Sequence, residues 1–136
     1  MSTNKDKVQL IYWIWQNWSE ENVCKLKEII GDSFVSHVPD FDIQGIDQYL
    51  GMMNWYTEHF VNPQYEIQDL LEDNNKVVAR HTVYVTYKGG WHGIPSSNQR
   101  VKETGINIFR FQDGFLSEMW CQMSDLSVYN QLKPLN

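Results

Sequence analysis

The sequence predicts an α+β domain in which three helices cover one face of a strongly bent antiparallel sheet. Up to residue 62 the apolar residues recur every three or four positions, and beyond it they alternate. Two joints between alternating runs carry turn sequences, Asp73-Asn74-Asn75 and Gln112-Asp113-Gly114. The 136 residues form one expected domain, 1–136, with no internal repeat or linker. A chain of that length buries roughly two-thirds of its unfolded surface and needs no metal or disulfide to fold.

The first helix is expected over Lys5 to about Trp18, where Val8, Ile11, Tyr12, Trp15 and Trp18 form one stripe. Ser19 is the expected N-cap of the second: Glu20 and Glu21 put acids in its first turn, and Val23, Leu26, Ile29 and Ile30 make its buried side. Gly31 ends it. Ser33 to Val38 reads as a short extended segment before a Pro-Asp loop. From Gly45, the spacing of Ile46, Tyr49, Leu50, Met53, Tyr56 and Phe60 predicts a third helix, stopped by Asn62-Pro63. Four strands follow: Tyr65–Glu72, Lys76–Lys88, Arg100–Phe111 and Phe115–Ser124. The loop GGWHGIPSSNQ separates the middle two, and a last helical turn starts at Ser124 or Asp125.

A formal charge of −6, with its 11 basic residues scattered, repels nucleic acid and anionic lipid rather than attracting them. Leu10 to Trp15 is too short an apolar run for a signal segment or a membrane span. Cys24 and Cys121 lack close spacing and are expected as free thiols in a reducing, cytoplasmic compartment.

In the strand 76–88, the row Val77, Ala79, His81, Val83, Val85 and Tyr87 is nearly all apolar and should face the helices. Strand 100–111 is apolar on both faces, which implies a partner on the far side. A homodimer packed sheet against sheet would supply it through Tyr84, Ile106, Ile108 and Trp120, with Arg80, Arg110 and Glu118 as candidate charge pairs. On the last strand Met119, Cys121 and Met123 oppose Glu118, Trp120 and Gln122; composition leaves open which row is inside.

Several short stretches fall at compatible spacing over nearly the whole chain: Phe34-Val35-Ser36-His37, Gly45, the run Lys76 to Val83, Thr86-Tyr87-Lys88-Gly89, Gly93-Ile94-Pro95, Gly105-Ile106, Phe109-Arg110-Phe111, Asp113-Gly114, Glu118, Trp120 and Gln131-Leu132. Together they resemble the SnoaL-like polyketide cyclase (ester cyclase) family. The resemblance implies an NTF2-like fold, a cone of curved antiparallel sheet closed by three helices around a deep pocket, as a dimer. It also implies an intramolecular aldol reaction needing no cofactor, in which a base removes an acidic C–H proton and polar groups hold the oxyanion. The family's functional pair, a His on the penultimate strand and an Asp on the last, falls here at Asn107 and Cys121. By the same analogy Met119, Cys121 and Met123 point inward. Ser124 stands where such sequences commonly have Asp, so Asp125 is either that acid shifted by one or the cap of the last helix. Tyr87 stands where the family often has His, and Ser96-Ser97-Asn98 replaces a Pro-Thr-Gly turn.

The expected acid/base candidates are His37, His81 and Asp125, with Asn107 as the hydrogen-bond donor to an oxyanion or enol. His37 and His81 each have a plain structural alternative, and Cys121 reads as a buried, inert thiol. His92 is either part of a lid or an exposed loop residue. Expected ligand contacts are Tyr12, Trp15, Tyr49, Met53, Trp55, Tyr87, Trp91, Phe109, Met119 and Cys121, whose types serve a flat hydrophobic ligand and ordinary core packing alike. No His or Cys has metal-ligand spacing and no nucleotide, phosphate or nucleophile motif occurs, so no metal and no cofactor are expected. The expected function is acid/base cyclisation of a hydrophobic, carbonyl-bearing small molecule. A non-catalytic binder of such molecules and a dimerisation module remain as alternatives.

Overall fold

The computed structural model describes residues 3–133. Helix α1 (Asn4–Gln16) starts with a capping box, in which Thr3 accepts from the Asp6 backbone N–H and Asp6 accepts from that of Thr3. Ser19 caps α2 (Glu20–Ile29), as expected. The helix does not stop at Gly31: it runs straight into β1 (Ile30–His37), where Gly31 lies inside the strand, close to Phe115. After β2 (Asp42–Gln44) comes α3 (Gly45–His59). Asn62-Pro63 does not end α3 either, because β3 (Phe60–Asp73) has already begun. Asn62 has a positive φ of 53° and the ladder slips between Val61 and Gln64. Proline is tolerated there because β3 is the sheet's edge strand and the ladder is already broken.

Strands β4 (Lys76–Tyr87), β5 (Arg100–Gln112) and β6 (Phe115–Met123) follow, then α4 (Asp125–Leu132). Both residues of the Asp113-Gly114 turn have positive φ, the geometry that matches strand twist in a tight hairpin. The order across the sheet is β2-β1-β6-β5-β4-β3. It is mixed rather than wholly antiparallel: β1 runs parallel to β6, with Ser36 beside Met119 and His37 beside Trp120. A parallel pair requires a long crossover, here everything from β2 to β5, and such a partner is not encoded near Ser33–Val38. Among the described residues no helix is long and apolar enough to cross a membrane.

The inward row of β4 is Val77, Ala79, His81, Val83, Val85 and Tyr87, every member nearly inaccessible. On β5 the buried parity is Val101, Glu103, Gly105, Asn107 and Phe109. Two apolar clusters form on this face. One gathers α1, α2 and one end of the sheet around Val8, Ile11, Leu26, Phe109 and Leu116; the other gathers Phe60, Val85, Tyr87, Ile94 and Val128. A cavity lined by members of both lies where they meet.

Candidate functional site

The cavity has a volume of about 410 Å³, within the usual range for small-molecule sites. Its walls are aromatic, with Trp15 from α1, Tyr49, Trp55 and Tyr56 from α3, Tyr65 from β3 and Trp91 from the loop after β4. Eight polar side chains that carry chemistry interrupt them: Ser36, Asp40, His81, His92, Glu103, Asn107, Cys121 and Asp125. Among the described residues no Lys or Arg lines it.

Strand register sets the polar groups side by side. His81 on β4 lies opposite Gly105 on β5, so Glu103 and Asn107, two residues to either side, flank it diagonally on the same face. Asn107 in turn lies opposite Cys121 on β6. Gly105 makes room for the imidazole: a Cβ there would lie 2.9 Å from His81 Cε1 and overlap Met123 Sδ.

Tyr12 reaches across from α1. Its hydroxyl lies 2.6 Å from His81 Nδ1 and accepts from Asn107 Nδ2 at 2.9 Å. A hydroxyl has one proton to give, and the only other polar partner of this one among the described residues is Nδ1. Giving that proton to Nδ1 leaves the neutral imidazole's own on Nε2, whereas the other tautomer would leave the buried phenolic proton without an acceptor. His81 Nε2 and Asn107 Oδ1 are buried, with no protein partner among the described residues. The cavity wall thus presents one N–H donor and one carbonyl acceptor, each of which costs about 1–3 kcal/mol if left without a partner. In that tautomer the polarity is the reverse of the one expected, which made His81 a proton acceptor and Asn107 a donor.

Burial lowers the pKa of His81 to about 4 and raises that of Tyr12 well above the ordinary phenol value, so at neutral pH both stay uncharged. Burial likewise raises the Cys121 thiol, against a weaker opposing contact from the Ser36 hydroxyl at 3.7 Å. Cys121 is therefore a neutral thiol. Glu103, only 7 % exposed, is pushed far above the carboxylate range by burial first and then by the neighbouring Asp125 carboxyl.

Asp125 is the first residue of α4 and is exposed at the cavity's rim. It is not the helix cap: Ser124 holds that position, and its hydroxyl accepts from the Thr104 backbone N–H at 2.9 Å while its own N–H donates to Thr104 O. These two bonds clamp the start of α4 beside Glu103.

Trp15, Tyr49, Met53, Trp55, Trp91, Met119 and Cys121 line the cavity, together with His81, Asn107 and Asp125; His92 also reaches it. Four expected site residues do not line it. His37 is on the other side of β1, because strand alternation turns its neighbour Ser36 inward. There it bonds Asp42 at 2.8 Å and Glu118, and stacks on Trp120. Tyr87 closes the loop, donating to Ile94 O at 2.6 Å. Phe109 is fully buried in the core, and Tyr12 acts through its hydroxyl, behind His81. Sequence reading missed Glu103, Ser36 and Tyr65. Glu103 was within reach, since it shares the parity of Asn107 and Phe109 on β5.

Solved structures of the same shape give the comparison. A protein from Jannaschia sp. CCS1, described as a putative SnoaL-like polyketide cyclase, superposes with a TM-score of 0.83 at 19% identity, over 95% of this chain and 92% of that one. TsrD from Streptomyces laurentii gives 0.80 at 23% identity, over 99% and 100%. An NTF2-like protein of unknown function from Burkholderia pseudomallei gives 0.74 at 11%, over 98% and 100%. No curated protein matches the sequence. The shared shape is the NTF2-like cone, and within it residues 9–132 match the sequence model of the SnoaL-like polyketide cyclases, so the chain belongs to that family.

Proposed function

We propose that the cavity binds a neutral, hydrophobic, carbonyl-bearing small molecule and catalyses proton transfer on it, as in intramolecular aldol ring closure, without a cofactor. The observation that carries this reading is the pair of unpartnered atoms, His81 Nε2 and Asn107 Oδ1, on the wall of an aromatic cavity. A substrate carbonyl accepts from His81, a neighbouring enol or hydroxyl donates to Asn107, and the flat walls hold the ring system. With no Lys or Arg on the lining, a free carboxylate or phosphate would enter without a counter-charge, which favours ketones and esters.

Native mass spectrometry of gently purified protein, compared with its denatured mass, checks binding. The expected result is a non-covalent adduct which, resupplied to the protein, returns as an isomer of equal mass. A second reading, a binder without catalysis, draws on Cys121, a neutral thiol at the position where the resemblance puts the acid. Recovery of the adduct unchanged would favour it.

We also propose that a second copy covers the outer sheet face, where Ile106 is 46% exposed and a groove runs along Leu71, Val78, Ile108 and Trp120. All three of the candidate charges there are already paired within the chain, Arg80 with Asp69 and Arg110 with Glu118.

A further inference from the structure

Glu103 and Asp125 take no part in the Tyr12–His81–Asn107 relay, yet both line the same cavity. Glu103 comes from the inward row of β5, one strand repeat from Gly105, the residue facing His81. Asp125 comes from the start of α4, which the two bonds between Ser124 and Thr104 hold beside Glu103. One carboxyl is buried and the other reaches solvent, so the pair links the cavity interior to bulk water. Among the described residues neither forms an ion pair with Lys or Arg. The other titratable groups on the lining are Tyr49 and Tyr56 on α3, Tyr65 on β3, His81 on β4, Cys121 on β6, the loop's His92 and Asp40, none a fixed cation. A buried carboxyl with a second acid beside it and no cation to pair with keeps its proton, as Glu103 does here.

His81 is poorly placed to be the base. In the tautomer that gives the Tyr12 hydroxyl an acceptor, its Nδ1 lone pair is engaged, and the proton sits on the other nitrogen, the one without a protein partner. We propose that the Glu103–Asp125 pair is the acid/base of this site and that His81 is a neutral hydrogen-bond donor to the substrate's carbonyl oxygen. The assignment rests on the proton-transfer reading above and refines it.

The step balances without any other reactant. The singly protonated pair takes the α-proton of the bound carbonyl compound: the C–H bond breaks, a carboxyl O–H forms, and the electron pair moves onto the carbonyl oxygen, held by His81 Nε2–H. The enolate carbon then attacks a second carbonyl of the same molecule, forming the C–C bond. The resulting alkoxide takes a proton back from the pair, which returns to its starting state.

Two measurements test this. With ring-15N histidine, NMR at neutral pH reads the His81 tautomer and needs no ligand: the Nε2–H form is expected, and the Nδ1–H form would overturn the assignment. The second follows α-proton exchange of 2-tetralone, an enolisable bicyclic ketone, into D2O. Glu103→Gln and Asp125→Asn should each slow it at least about 100-fold with probe affinity within about threefold of wild type. His81→Gln, which keeps a neutral N–H, should lose far less. If wild-type exchange survives both carboxyl substitutions and disappears in His81→Gln, the assignment is wrong while the proton-transfer reading stands. If wild-type protein gives no exchange above buffer, it is the proton-transfer reading that fails.

Discussion

The chemistry of the cavity turns on a few atoms whose surroundings fix their protonation. Tyr12→Phe would leave His81 Nδ1 and Asn107 Nδ2 without their shared partner in a buried site. The expected cost is about 1–3 kcal/mol, read by urea unfolding. Gly105→Ala would drive a methyl against His81 and Met123 and should cost a similar amount, about 1–3 kcal/mol, while displacing the imidazole. The titrations have opposite signs. Glu103 binds its proton more tightly folded than unfolded, so stability should fall as pH rises from 4.5, its ordinary value, through neutrality. Glu103→Gln, which keeps the shape of the protonated acid, should abolish that fall and exceed wild-type stability by a margin that grows with pH. His81 binds its proton less tightly when folded, so its part of the stability is lost as pH falls from 6.5 toward 4. Equal pH dependence in wild type and Glu103→Gln would show that Glu103 is not buried as a neutral acid.

At the scale of elements, two features place the polar groups: the β4–β5 register and the clamp at the start of α4. Ser124→Ala removes the bond to the Thr104 N–H, and by analogy with lost caps it should cost about 1 kcal/mol. Hydrogen exchange should show α4 opening more often than β5. The helices and the β4 parity were legible in the sequence, because an apolar stripe and an alternating row are local signals carried by Val8, Ile11, Tyr12 and Trp15 or by Val77 through Tyr87. The parallel β1–β6 pairing was not, since nothing near Ser36 states that Met119 will lie beside it. The same gap misplaced His37: whether Ser36 or His37 turns inward depends on a neighbour more than 80 residues away. Asn107 and Asp125 were expected at the pocket and do line the cavity, yet what they face there depends on Tyr12 and Glu103, which only the fold brings near.

For the whole molecule, a cone open at one end has one face buried by its own helices and another facing out. If a second copy covers the outer face as proposed, Ile106→Glu should shift the mass in light scattering from dimer to monomer while leaving cavity chemistry intact. An unchanged mass would place any partner elsewhere. The central claim concerns the inner face: an aromatic cavity with a fixed donor, a fixed acceptor and a carboxyl pair moves protons on a neutral carbonyl compound. The most direct measurement is the rate at which wild-type protein exchanges the α-protons of 2-tetralone into D2O at neutral pH, against buffer alone. The account predicts a saturable acceleration that falls away when a second hydrophobic ketone competes for the cavity. A rate equal to that of buffer at every protein concentration would contradict it.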